Sequence, residues 1–393
     1  EVSVGCFTPL PQPAGGFLCP VQLIAPKEFH EPFMIDIFES TAQLRPEAVF
    51  FTAVDRRGNE TAYTYRQTRL IASQLARRLR DKGVFPGDAV AVDLPNGPMY
   101  VFLALAAAYG GFALVALNHR LTDAEKLTRV LELERAGLRV AYTVDAAGEP
   151  KLFEAVCNSL LRNERAGRVD DSLGGSVEDA IHFAERAAHV FDSSHRALIM
   201  FTSGTTGKPK AAELTWGNLV EASKASNRVL SGRVRGRGLW QAVLPFFHVG
   251  GFQVLVRSVC SRWPLRIYER FDAAVLRDAE VMHATHISVV DKMLQDMLNA
   301  RPSALAQYEC VLLGGGPLNA KTVARALEAE ARVYASYGMT ETSSQVANTL
   351  ITPQFTGGMR LLPGYSARIV EPDAAGFGRL ALRGPGVFGG YAN

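Results

Sequence analysis

Residues 197–210 constrain the fold more than any other stretch. Ala197-Leu-Ile-Met-Phe201 is wholly apolar and reads as a buried strand. It runs straight into Thr202-Ser-Gly-Thr-Thr-Gly-Lys-Pro-Lys210, small hydroxyl residues and glycines closed by two lysines. Backbone around Gly204 and Gly207 can approach an anion closely, and the hydroxyls of Thr202, Ser203, Thr205 and Thr206 add donors. Lys208 and Lys210 supply positive charge. The segment is a polyphosphate cradle at the end of a strand, where open α/β sheets bind ligands. It is not a Walker A loop, because G-x-x-G-K followed by Pro209 lacks the spacing of G-x-x-x-x-G-K-[ST].

The rest of the chain has the matching grammar. From Met34 onward short apolar strands alternate with helical patterns. A helix is expected over 65–82, with Leu70, Ile71, Leu75 and Leu79 on one side and Arg77, Arg78 and Arg80 on the other. Thr64 and Gln67 have the spacing of a capping box at its start. Strands follow at 88–94 and 139–143, the latter after a helix at 123–134, and a helix at 276–282 precedes a strand at 286–290. Such alternation predicts mostly parallel sheets covered on both faces by helices. Met99–Leu117 is nineteen residues without a charge, long enough to cross a bilayer. Gly110-Gly111 splits it, so a buried helix, a turn and a strand at 112–117 are expected.

Composition narrows the class. The chain has 393 residues, 48% hydrophobic and 21% charged, enough apolar material for two or three subdomains. A net charge of +3 gives no reason to expect nucleic acid or a membrane surface as partner. Five scattered cysteines without a C-x-x-C pair exclude a disulfide scaffold and a zinc-finger site, and fit a reducing compartment such as the cytoplasm. Residues 1–33 hold six prolines and read as an extended leader. The expected division is a first α/β subdomain over 34–190, a second over 191–352 carrying the nucleotide and acyl site, and the start of a small β subdomain over 353–393. Residues 163–179 read as an exposed connection. The arginine-rich stretch Arg228–Gly238 is either a solvated loop or a phosphate-capturing one.

Three further segments carry chemistry. Val333-Tyr-Ala-Ser-Tyr-Gly-Met-Thr-Glu-Thr342 is a strand ending in a small-residue turn, where Tyr337 could stack on a base, Thr340 reach a phosphate and Glu341 hold Mg²⁺. Val311-Leu-Leu-Gly-Gly-Gly-Pro317 is another strand–glycine–helix junction. Leu244-Pro-Phe-Phe-His-Val-Gly-Gly251 sets aromatics and glycines beside His248 and suits a flat organic ligand, although a lone His among apolar residues is also a common core residue.

Together these segments resemble the adenylate-forming superfamily of acyl- and aryl-CoA ligases, luciferases and peptide-synthetase adenylation domains. T-S-G-T-T-G-K-P-K is similar to its phosphate loop, Y-G-M-T-E to its second nucleotide motif, and Gly384-Pro-Gly-Val-Phe-Gly-Gly-Tyr391 to a later G-x-x-x-x-x-G-Y stretch. The similarity runs from about Met34 to the last residue. Within the superfamily L-P-F-F-H-V-G-G-F-Q-V-L-V-R-S, L-L-G-G-G-P-L and S-Y-G-M-T-E-T-S-S-Q look most like the o-succinylbenzoate–CoA ligases of menaquinone biosynthesis.

The resemblance implies the fold of the family's large N-terminal domain: two helix-covered, mostly parallel sheets and a small β subdomain. It implies an AMP-forming acid–thiol ligase using ATP, Mg²⁺ and CoA on a small-molecule carboxylic acid, with no nucleic acid and no membrane span; a homodimer is a compatible assembly. Carried over residue by residue, Thr202, Ser203, Gly204, Thr205, Thr206, Gly207, Lys208 and Lys210 would hold the phosphates. Gly314, Gly315, Gly316, Pro317, Ser336 and Tyr337 would frame the adenine, Thr340 would contact the α-phosphate and Glu341 would bind Mg²⁺. His248, Gly250, Gly251, Gly338 and Met339 would line the acyl pocket, with Arg257, Ser344 and Gln345 positioning the acid or its second carboxylate. Catalytic weight falls on His248, Thr340, Glu341 and Lys208. The family's next motif and its smaller C-terminal domain have no counterpart before Asn393, so the expectation is the N-terminal portion of a ligase, nearly inactive alone. Another aryl or medium-chain acid, and a non-catalytic nucleotide-binding homologue, remain the alternative readings. Asp291 and Lys292 stand where relatives carry Pro-Thr, and Lys292 either pairs with a substrate carboxylate or faces solvent.

Overall fold

The computed structural model describes residues 22–24, 34–145, 194–202, 209–231, 238–272 and 274–393. Strands along the chain are β1 (Gln22–Ile24), β2 (Val49–Val54), β3 (Glu60–Thr64), β4 (Ala89–Asp93), β5 (Ala113–Ala116), β6 (Val140–Asp145), β7 (Arg196–Thr202), β8 (Lys210–Thr215), β9 (Trp240–Ala242), β10 (Leu265–Tyr268), β11 (His286–Val289), β12 (Cys310–Leu313), β13 (Val333–Met339), β14 (Ser344–Leu350), β15 (Arg360–Leu361), β16 (Ser366–Val370), β17 (Arg379–Arg383) and β18 (Gly390–Tyr391). Helices are α1 (Met34–Leu44), α2 (Tyr65–Asp81), α3 (Pro98–Gly110), α4 (Asp123–Arg135), α5 (Trp216–Leu230), α6 (Val249–Ser261), α7 (Ala274–Met282), α8 (Asp291–Ala300) and α9 (Ala320–Glu328).

Two large sheets and one small one result. A nine-stranded sheet has the order β15-β14-β13-β12-β11-β9-β10-β2-β3, parallel from β13 through β2 and antiparallel at both edges. A six-stranded sheet runs β18-β8-β7-β5-β4-β6, and a three-stranded one β1-β17-β16. Alternation along each strand sorts side chains into layers. In β4, Val90 and Val92 join the central core with α1, α2, α3, α5 and α6, while Ala89 and Ala91 face α4 through Leu133. The outer face of the nine-stranded sheet, including Ile287, Val289, Val311 and Leu313, packs against α7, α8 and α9. The molecule is thus helices, sheet, helices, sheet, helices, as the alternating grammar requires.

The expected division at residue 190 does not follow sheet membership. The β2–β3 hairpin, early in the chain, extends the nine-stranded sheet beside β10, whereas β7 and β8, well after residue 190, complete the six-stranded one. Strand pairing across the chain overrides sequence order here. The 1–33 leader contributes β1, parallel to β17; its other residues, and the connection at 163–179, lie outside the described residues. Three helices begin with reciprocal caps: Thr64 with Gln67, Thr122 with Glu125, and Thr215 with Asn218. Helix α3 is buried on every side from Tyr100 to Tyr109, as the uncharged run implied. Among the described residues no helix is long and apolar enough to cross a membrane.

Candidate active site

The loop-bearing strand ends converge between the two large sheets. Strand β7 ends at Thr202 and β8 begins at Lys210, its antiparallel partner, with the Thr202 hydroxyl donating to the Lys210 carbonyl at 3.4 Å. Both ends of the phosphate loop are therefore clamped; Ser203, Gly204, Thr205, Thr206, Gly207 and Lys208 lie outside the described residues.

The glycine run after β12 lies against β13. A Cβ on Gly314 would come within 2.5 Å of Ser336 Oγ, so the peptide there presses on the second nucleotide motif. Gly315, Gly316 and Pro317 are exposed, and nothing stands within 4 Å of where a Gly316 Cβ would be. This exposed backbone lies beside half-buried Ser336 and Tyr337. At the end of β13 the ladder to β14 shifts register between Tyr337 and Gly338. A Cβ on Gly338 would stand 1.7 Å from the Ser344 carbonyl oxygen, so this close approach is open to glycine alone.

Thr340–Thr342 form a single 3₁₀ turn, held from several sides. The Met339 amide donates to Thr342 Oγ1 at 3.0 Å. Ser343, left-handed at φ 53°, donates its hydroxyl to the Gly386 carbonyl at 2.9 Å, and its carbonyl accepts from Gln253 Nε2 of α6 at 2.8 Å. The Phe388 amide donates to the Glu341 carbonyl at 2.9 Å. Thr340 and Glu341 are left half-buried at the rim. One Glu341 oxygen, Oε1, accepts from the Tyr391 hydroxyl at 2.8 Å.

His248, Gly250, Gly251 and Arg257 all lie at or on α6. His248 is its N-cap, exposed on one face and with Phe247 on the other, ring centroids 4.6 Å apart. Burial among neighbouring atoms first, and Arg120 second, hold its pKa below the usual histidine value, so the ring is neutral at pH 7. Gly251 is obligatory, since a Cβ there would meet the Pro245 carbonyl oxygen at 2.2 Å, while Gly250 has only Leu244 at 3.5 Å.

Farther along the same helix Arg257 is 1% exposed. Its Nη2 donates to Gln345 Oε1 at 3.1 Å and its guanidinium stands 5.8 Å from the Trp240 ring centroid. Among the described residues no carboxylate pairs with it. Burial pulls its pKa down to about 10, which still leaves it charged at neutral pH. Arg257 Nε, Gln345 Nε2 and Trp240 Nε1 are all buried donors without an acceptor among the described residues. Gln345 Oε1 also accepts from Ser226 Oγ at 3.0 Å, and Gln345 sits across the ladder from Gly338. The buried cation is therefore joined to the nucleotide strand through one side chain. A buried, unpaired cation is costly unless an anion answers it.

Of the other sequence candidates, Ser344 is half-buried beside Gly338. Lys292 faces solvent in an ion pair with Asp296 and is not part of the site. Asp291 accepts from Gln295 Nε2 at 2.6 Å. Of the Arg228–Gly238 loop, residues 232–237 lie outside the described residues. Two contributors escaped sequence reasoning, and a third, Tyr391, entered it only as the last residue of the Gly384–Tyr391 motif. Asn96 fastens the Leu244–Phe246 loop, Arg120 flanks His248, and Tyr391 reaches Glu341. Only position offered a signal: Asn96 and Arg120 both follow the C-terminal ends of parallel strands, β4 and β5.

The donor set suits a metal that arrives with a nucleotide. Among the described residues no group of three or more His, Cys, Asp or Glu is clustered as a metal cage. Glu341 offers a hard oxygen, Oε2, with no protein partner among them, and Mg²⁺ is commonly held by one or two carboxylates plus substrate phosphates.

Strand ends of the two large sheets that carry Lys210, the Gly314–Pro317 run, the Thr340–Thr342 turn and His248, with Arg257 buried farther along α6, fit a nucleotide-dependent acid-activating enzyme domain. The chain belongs to the AMP-binding enzyme family, which it matches over residues 38–392. It is 29% identical over 364 residues to the 2-succinylbenzoate–CoA ligase of Bacillus pumilus, spanning 89% of this chain and 69% of that one. It superposes with a TM-score of 0.71 on o-succinylbenzoate coenzyme A synthetase of Bacillus subtilis in complex with ATP and magnesium, at 26% identity, covering 91% of this chain and 72% of that one. The same enzyme in complex with its acyl-adenylate intermediate matches with a TM-score of 0.70 at 26% identity, covering 91% and 90%.

Proposed function

We propose that this chain activates o-succinylbenzoate with ATP for transfer to CoA. The reaction joins a carboxylate oxygen to the α-phosphorus of ATP as the bond to pyrophosphate breaks; the thiol sulfur of CoA then displaces AMP, leaving a thioester. The obstacle is charge, because an anion must approach a polyanion, so fixed cations and dipoles carry the catalysis. A bound divalent metal would neutralise phosphate charge, with Glu341 as its protein ligand. Lys210 and Thr202 stand at the mouth of the phosphate loop, Thr340 beside Glu341 at the α-phosphate position, and Gly314–Pro317 with Ser336 and Tyr337 under the adenine. Neutral His248 presents a hydrogen-bonding edge to the reacting carboxylate, while the free N–H groups at the α6 N-terminus favour its negative charge.

The observation that carries the choice of acid is Arg257. It lies nine residues beyond His248, about 13 Å along α6. An acid with a single carboxylate would leave this buried cation unanswered; a second carboxylate, as in o-succinylbenzoate, would accept from Arg257 Nε and Gln345 Nε2. The names of the relatives point to the same acid. Pyrophosphate release by the protein in its full encoded length, with Mg·ATP and a panel of o-succinylbenzoate, benzoate and a medium-chain fatty acid, tests this. Preference for o-succinylbenzoate is the expected result. A preference for either monocarboxylate would remove the acid assignment and leave the enzyme class; silence across the panel would leave a nucleotide-binding homologue.

A further inference from the structure

Lys210 opens β8 and Glu341 lies in the 3₁₀ turn between β13 and β14, yet one side chain touches both. The Tyr391 hydroxyl donates to Glu341 Oε1 at 2.8 Å, and the Lys210 ammonium lies 5.1 Å from the centroid of the Tyr391 ring. Among the described residues Lys210 pairs with no carboxylate, although Glu341 is its near neighbour through that ring.

Tyr391 is itself held firmly. Strand β18 pairs with β8, setting Tyr391 opposite Ala212, and the next amide, Ala392, donates to the Ala211 carbonyl at 2.8 Å. Asn393 closes the junction, its Oδ1 accepting from the Ala211 amide at 2.8 Å and its Nδ2 donating to the Pro209 carbonyl at 3.2 Å. Phe388 packs edge-on against the ring at 4.8 Å. Upstream, Asn218 of α5 donates to the Pro385 and Val387 carbonyls at 2.9 and 3.0 Å. A tyrosine anchored this well, and still 40% exposed, is placed for something other than filling the core.

We propose that Tyr391 positions Glu341 and insulates it from Lys210: its hydroxyl holds one carboxylate oxygen while its ring face takes the ammonium, so that cation and anion both stay available to the metal–nucleotide instead of pairing with each other. A phenol suits this role because it is neutral. It orients the carboxylate, leaving Oε2 toward the metal, without cancelling the charge that the metal needs, as a lysine or arginine in its place would. The aromatic face attracts the ammonium while keeping it from the carboxylate. This inference rests on Glu341 as the metal carboxylate of the proposed reaction.

The test is Mn²⁺ affinity in the presence of ATP, read on this chain by the loss of the free-ion paramagnetic resonance signal. Tyr391→Phe keeps the ring, so Lys210 stays insulated and only the hydroxyl hydrogen bond is lost. We expect about three- to tenfold weaker Mn²⁺ binding, the scale of one hydrogen bond, at an unchanged melting temperature. Tyr391→Ala removes both functions and weakens binding further. In a Glu341→Gln background Tyr391→Phe has no additional effect. Wild-type Mn²⁺ affinity in Tyr391→Phe, or the same loss with and without Glu341, would overturn the positioning role. If Glu341→Gln binds Mn²⁺·ATP like wild type, or the wild-type chain does not bind it, the metal assignment itself falls and takes this inference with it.

Discussion

Asn96 and Phe246 lock the two large sheets together two residues before His248. The buried Asn96 carboxamide, just past β4 of the six-stranded sheet, accepts from the Phe246 amide at 2.8 Å and donates to the Leu244 carbonyl at 2.9 Å, in the loop that follows β9 of the nine-stranded sheet. Replacing Asn96 by Ala strands a buried N–H and a buried carbonyl, at a cost of about 1–3 kcal/mol. Urea unfolding should show that loss. Since the same loop delivers His248, the KM for the acid should rise more than the KM for ATP.

Arg257→Met separates binding from stability. Removing an unpaired buried cation in favour of an apolar side chain of similar length is expected to leave the fold equally stable or more so. The same change should raise the KM for a two-carboxylate acid roughly 10- to 100-fold, the scale of a hydrogen bond to a charged group, and leave benzoate nearly untouched. Steady-state kinetics on both acids, beside a thermal melt, check the two halves. A variant that unfolds, or that loses both acids equally, would make Arg257 a structural residue.

Two glycines of the nucleotide site should behave in opposite ways. Gly338→Ala forces a Cβ onto the Ser344 carbonyl at 1.7 Å, so overpacking should cost about 1–3 kcal/mol or more and open the β13–β14 ladder. Gly316→Ala meets nothing within 4 Å and should stay within about 1 kcal/mol of wild type, while a methyl at the proposed adenine site weakens ATP. Equilibrium unfolding and ATP titration of the pair distinguish the two.

His286 sets a pH dependence. It is fully buried between Trp240 and Trp263, with Nε2 3.0 Å from the Leu230 carbonyl, and burial drives its pKa down to about 4. The unfolded chain, at an ordinary histidine value near 6.5, binds the proton first as pH falls. Stability from this residue is therefore complete above about pH 6.5 and is lost between there and about pH 4, by roughly 3 kcal/mol. Unfolding free energies measured from pH 7 to 4 should fall by about that much less in His286→Gln than in wild type.

Much of this was readable from local pattern. Apolar strands flowing into glycine and hydroxyl loops at 202, 314 and 338, and the Thr64–Gln67 cap, are short-range signals, since the residues that act together lie within a few positions of each other. That the β2–β3 hairpin joins the nine-stranded sheet is not legible in its own residues, because which sheet an edge strand joins depends on the surface it meets. The sequence leans to solvent for Lys292 over the pocket, and helix phase with the Asp296 partner one turn on places it there.

What the sequence determined by itself is the layered α/β architecture and the chemistry of each strand end, because periodicity and loop composition are properties of neighbours in the chain. Only the tertiary structure decided that Arg257 is buried without a counter-charge among the described residues, that Asn96 fastens one sheet to the other, and that Tyr391 touches both Lys210 and Glu341. Each of these joins segments far apart in the chain, and their distances are set by how two sheets pack across a shared helical layer, which no local pattern specifies.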